Sequence, residues 1–129
     1  MSLNNNDLEK KVKGIAHSLI YEKGYVSSVD VLMRLDYLSK GDYEAWRFGK
    51  ISYLEKACQV NLSKLSLINK TIRKIANDLD LKKSWTEYNQ YGKSENRRLR
   101  FSKSGNKDIE VAYATHYVDI ERSNELRNQ

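Results

Sequence analysis

The chain has 129 residues, of which 40% are hydrophobic and 31% charged, and a formal net charge of +6. That length suits one domain with one core, and the composition is that of a folded chain rather than a disordered one. No apolar run approaches the roughly 20 residues needed to cross a bilayer, and the first residues lack the apolar centre of a secretory signal. The expectation is a single domain over 1–129, ordered from about residue 6 to 118, with no membrane partner. The single cysteine excludes an internal disulfide and suits a cytoplasmic location.

In chain order, Asn6-Asp7-Leu8-Glu9 has the form of a capping box. Leu8, Val12, Ile15 and Leu19 follow at spacings of four, three and four, which predicts a helix ending at Lys23-Gly24. His17 reads as an exposed residue of that helix. Ser27-Ser28-Val29-Asp30 and Ser39-Lys40-Gly41-Asp42 start two short helices, the second closing on Gly49. Such a pair permits a helix-turn-helix arrangement, although ordinary packing around Trp46 is the preferred reading. From Ser52 to Leu79 the apolar residues keep one helical face, which predicts one long helix bent near Asn61. Cys58 falls on that face as a small hydrophobe. Leu67 falls among polar positions, as a cover for another element or as part of a contact surface.

Trp85, Tyr88 and Tyr91 precede a turn composition at 92–96, and Arg97–Lys103 follows. Leu99 and Phe101 alternate there with Arg98, Arg100 and Ser102, so period two puts the arginines on an outward face. A β-hairpin over Trp85–Lys103 is expected, then a last helix capped by Asp108, then a frayed tail over 119–129. The fold class is therefore α+β: a mostly helical single domain of four or five helices with one antiparallel β-hairpin, winged-helix-like in plan. Its core should include Val12, Ile15, Leu32, Leu35, Trp46, Leu65, Ile68, Ile72, Leu99 and Phe101.

Three runs carry a resemblance: SSVDVLMRLDYL, WRFGKISYLEKACQVNLSKL and RLRFSKSGNKDIEVAYATHYV. Together they resemble an uncharacterised family of small bacterial proteins, over roughly Tyr25–Val118. The resemblance implies a bacterial source and a self-contained domain, and it brings no catalytic residues. Separately, Trp46-Arg47-Phe48-Gly49-Lys50 is similar to the end of the recognition helix in excisionase-like DNA-binding domains.

The basic character is concentrated. Residues 61–107 hold twelve Lys or Arg against four Asp or Glu. Lys64, Lys74, Lys93, Arg97, Arg98, Arg100 and Lys103 are the candidate nucleic-acid contacts, because Lys and Arg neutralise phosphates and release counterions. Trp85, Tyr88 and Tyr91 offer rings on which bases can stack. The partner expected is RNA or DNA. The alternative is an interaction module, a homodimer or an adaptor for an acidic partner.

Catalysis is less well supported. Two histidines far apart and one cysteine make no metal-ligand spacing, the six glycines make no phosphate-binding loop, and Gly-x-Ser-x-Gly is absent. Neither a cofactor nor a metal is expected. One enzyme reading survives: a metal-free ribonuclease in which His116 acts as acid or base beside Arg97, Arg98, Arg100 and Lys103.

Overall fold

A computed structural model describes residues 3–92 and 97–129. Helix α1 spans Asn5–Lys23, and its apolar face buries Leu8, Val12, Ala16, Leu19 and Ile20. Its N-cap is Asn4 rather than Asn6: the Asn4 side chain accepts from the Asp7 amide at 2.9 Å. At its other end Gly24 takes φ +82°, and a Cβ there would come within 2.9 Å of the Ser123 backbone. Glycine is therefore required twice, by the left-handed cap and by what packs on it.

What packs there is α7, Ile120–Arg127, in the stretch expected to fray. Its N-cap Asp119 bonds the Gly24 carbonyl through its backbone N–H at 2.9 Å. Arg122 donates to the Tyr21 carbonyl at 2.8 Å, with its guanidinium 4.3 Å from the Tyr21 ring centre. These contacts are polar, so no apolar periodicity announced the helix.

The short helices α2 (Ser28–Arg34) and α3 (Lys40–Arg47) are capped by Ser27 and Ser39, as their sequences indicate. The packing of α2 is chiefly against α1, α5 and α6, whereas α3 packs chiefly against α4. Trp46 is fully buried against Tyr43, Tyr88 and Phe101.

The long helix expected over Ser52–Leu79 is two helices, α4 (Leu54–Ala57) and α5 (Leu62–Asp78). Cys58 is extended, and the Asn61 side chain accepts from the Lys64 amide at 2.9 Å. An asparagine competes with the helical backbone and starts a fresh helix, while the apolar stripe keeps its phase across the break. Helix α5 lies along α1 and buries Leu65, Ile68, Ile72, Ile75 and Ala76. Leu67 is partly buried against the core rather than presented as a contact. Of the expected core residues all are buried except Ile15, which is half-buried.

The sheet corrects the expected hairpin. Strands β1 (Tyr25–Val26), β2 (Lys82–Trp85) and β3 (Thr115–Val118) form an antiparallel sheet in the order β1-β3-β2. Trp85 thus pairs with Thr115 rather than with the arginine run. Among the described residues the hairpin is reduced to a bridge between Asn89 and Arg98, with Gln90 N donating to Arg97 O and Leu99 N to Tyr88 O, each at 2.8 Å. The turn composed of Lys93–Asn96 lies outside the described residues. Helix α6 (Lys107–Ala114) is capped by Asn106, not Asp108, and gives way to β3 four residues before the expected end. The β-branched Thr115 and Val118 and the ring of Tyr117 favour a half-buried strand there. The domain is α+β and mostly helical, with seven helices among the described residues.

Candidate nucleic-acid interface

Beyond its short pairing with 88–90, the arginine run is held by other backbone bonds. Arg100 O accepts from the Trp46 indole at 2.9 Å and from Leu54 N at 3.1 Å, and Phe101 O accepts from Glu55 N at 2.9 Å. The Glu110 carboxylate takes the amides of Phe101 and Ser102 and the Ser102 hydroxyl. Leu99 and Phe101 are buried while Arg97, Arg98 and Arg100 stay exposed, so the alternation read from sequence is realised with only a short antiparallel pairing at 88–90 among the described residues.

Those backbone bonds lay residues 97–100 beside the 49–56 segment. Between them is a cavity of about 580 Å³ lined by Lys50, Lys56, Arg97, Arg98 and Arg100, together with Gly49, Ile51, Ser52 and Leu99. Five exposed cations share this basin, and among the described residues no carboxylate is in its lining. None of the five belongs to an ion pair among the described residues. Unscreened like charges at close range repel, so a polyanion that neutralises them is favoured.

Aromatic rings support the rim. The Arg98 guanidinium lies 5.6 Å from the ring centre of Trp85, which is 53% exposed, and that of Arg100 lies 5.4 Å from Tyr53. Arg100 is oriented further by donating to the carbonyls of Ser102 and Lys103. Phe48 and Tyr91, also exposed, meet edge to face at 5.5 Å.

The remaining candidates are scattered. Lys64 donates its ammonium to Leu3 O and Asn5 Oδ1, tying α5 to the start of α1. Lys74 is exposed on α5 and lines neither the basin nor a second concavity, a groove between α5 and α6. Lys103 faces that groove instead of the basin, and Lys93 lies outside the described residues. Lys50 and Lys56 were missed because they belong to another stretch of chain, although Lys50 closes the Trp46–Lys50 motif. Within that motif Trp46 is buried and Arg47 lies among the rings of Tyr91, Tyr88 and Tyr43 at 4.1, 5.2 and 5.9 Å. Neither is presented as a recognition-helix side chain would be.

His116 is apart from the arginines. It stacks on Tyr25 at 4.9 Å, its Nε2 is 2.8 Å from the Tyr88 hydroxyl, and it lines neither the basin nor the groove. Burial lowers its pKa below the ordinary 6.5, with Asp30 pulling upward and Lys23 downward. The neutral ring is thus the form the fold favours. Its contribution to stability is fully present above pH 6.5 and is lost as pH falls through the depressed folded value. Between pH 7.5 and 5 the melting temperature of the wild type should therefore drop further than that of His116→Phe, which keeps a ring but cannot titrate. Equal drops would mean that the imidazole is as easily protonated folded as unfolded.

Burial also pushes the Cys58 thiol up to about 12, with the nearby carboxylates of Glu55 and Asp42 adding to the shift, so it is no nucleophile at neutral pH. Among the described residues no group of three His, Cys, Asp or Glu is placed to hold a metal, and no helix is long and apolar enough to cross a membrane. Comparison with protein-family models, with curated proteins and with solved structures finds no match.

Proposed function

We propose that this chain binds a polynucleotide, RNA or DNA, by seating its phosphate backbone in the basin of Lys50, Lys56, Arg97, Arg98 and Arg100. The observation that carries the reading is five exposed cations around one cavity with no acid in its lining among the described residues. Each phosphate neutralised releases condensed counterions, and that release drives binding at moderate salt. Exposed rings at Trp85 and Tyr91 give unstacked bases a surface, so a single strand suits the site better than a closed duplex. Binding rather than cleavage is favoured, because the general acid or base that a nuclease needs is held by Tyr25 and Tyr88 away from the basin. The three sequence runs quoted above support a bacterial source, and the lone, partly buried cysteine suits a reducing cytoplasm.

The two tryptophans provide the test, since Trp46 is fully buried and Trp85 is 53% exposed. A single-stranded oligothymidylate or oligouridylate should quench the emission of Trp85 on binding. Trp85→Phe should abolish the quench while leaving binding detectable by anisotropy of a labelled strand. If neither strand binds better than it does to an unrelated protein of equal charge, the proposal fails.

A further inference from the structure

A second concavity, sharing no lining residue with the basin, runs between α5 and α6 with a volume of about 760 Å³. Its α5 wall is the stripe Leu62, Ser66, Asn69 and Arg73, spaced four, three and four. At 1.5 Å per residue that stripe is about 16 Å long, roughly three helical turns. Ala112, Tyr113 and Tyr117 form the floor. Leu62 and Ile109 stand in the groove 55% and 40% exposed, an unusual state for large aliphatic side chains facing each other across a cleft.

The charges around this apolar strip are arranged, not random. Lys70 and Arg73 rise from the α5 wall and Lys103 from the opposite side, and none of the three is ion-paired among the described residues. Of the two lining carboxylates, Glu55 is engaged by its own chain. One oxygen takes the Tyr113 hydroxyl and the other the Lys103 amide, both at 2.8 Å. Asp108 is in the first turn of α6, at one end. The α5 wall is also tied to α2, by the Ser28 hydroxyl donating to Asn69 Oδ1 at 2.5 Å. The groove is therefore preformed, with Leu62, Ile109 and Ala112 as its apolar patch, Ser66 and Asn69 beside it on the α5 wall, and cations at its flanks.

We infer that this groove docks an amphipathic helix of a partner protein, about three turns long, with an apolar stripe bordered by acidic residues. A helix lays such a stripe into a groove through residues spaced three and four apart, the spacing that α5 itself presents. Charge complementarity selects glutamate or aspartate beside the stripe, facing Lys70, Arg73 and Lys103. A phosphate backbone would satisfy the cations but leave Leu62 and Ile109 in water, so nucleic acid fits the basin and not this groove.

The probe is a labelled 14-residue peptide with leucines spaced four, three and four and glutamates beside them, followed by anisotropy. Its control has the same composition scrambled so that the leucines share no face. The ordered peptide should bind saturably and about tenfold or more tighter than the scrambled one. Lys70→Glu with Arg73→Glu should weaken it about tenfold, and Ala112→Trp, which fills the floor, should abolish it while the melting curve stays cooperative. Equal binding of both peptides, no saturable binding, or indifference to both variants would overturn the inference. A single-stranded oligonucleotide that loses affinity on Lys70→Glu with Arg73→Glu, while the ordered peptide does not bind, would assign the groove to nucleic acid and overturn it equally.

Discussion

Trp46→Ala should lower the free energy of unfolding by about 3–5 kcal/mol, read as a shift in the urea midpoint at constant slope. The indole is fully buried, with the rings of Phe101, Tyr88 and Tyr43 at 5.3, 5.8 and 6.1 Å. Truncation leaves a cavity among rigid aromatic neighbours that cannot collapse into it. It also removes the donor to Arg100 O, one of the bonds that place the arginine run beside Lys50 and Lys56. Affinity for a single strand should therefore fall in the fraction that remains folded. Trp46→Phe helps to separate the two effects, since it keeps an aromatic ring in the cluster while removing the hydrogen bond and part of the buried volume, and leaving Arg100 O short of one donor should cost about 1–3 kcal/mol. A midpoint for Trp46→Ala within error of the wild type would mean that the aromatic cluster is not the centre of this half of the molecule.

The basin was half legible in the sequence. Alternation of Leu99 and Phe101 with Arg98 and Arg100 depends only on which way extended side chains point, and it is present although the run pairs only briefly, at 88–90, among the described residues. Lys50 and Lys56 were hidden, because they reach the arginines through backbone bonds between residues about 46 positions apart, such as Leu54 N to Arg100 O. No spacing within either segment records such a contact. The hairpin is shorter than expected for the same reason: residues 88–90 pair with 97–99, but from Arg100 to Ser102 the backbone groups are taken by Trp46, Leu54, Glu55 and Glu110.

Helices followed a similar division. The apolar faces of α1 and α5 were evident from spacings of three and four, and Ser27 and Ser39 cap as expected. Helix α7 was missed because it docks through Arg122 and Asp119 and has no buried residue of its own. The switch from α6 to β3 was missed because Tyr113 and His116 keep a helical spacing. What decides the strand is the pairing of Thr115–Val118 with both β1 and β2, a long-range fact that local propensity does not contain.

The central claim is that Arg98 and Arg100 meet phosphates as part of one basin. Arg98→Ala with Arg100→Ala should remove about two phosphate contacts. For a single strand each contact contributes about 0.7 to the slope of log K against log salt, and for a duplex about 0.9. The double variant should therefore bind more weakly at low salt, similarly for all sequences tested, with a slope shallower by about 1.4 to 1.8. Because Arg100 also bonds the carbonyls of Ser102 and Lys103, Lys50→Ala with Lys56→Ala serves as an independent probe of the same cavity. The deciding measurement is the affinity of wild type and both double variants for a labelled single strand at several salt concentrations. A slope that flattens in both variants, with melting temperatures close to wild type, is the predicted result. Three parallel lines of equal affinity would contradict the claim, because the basin would then hold no phosphate.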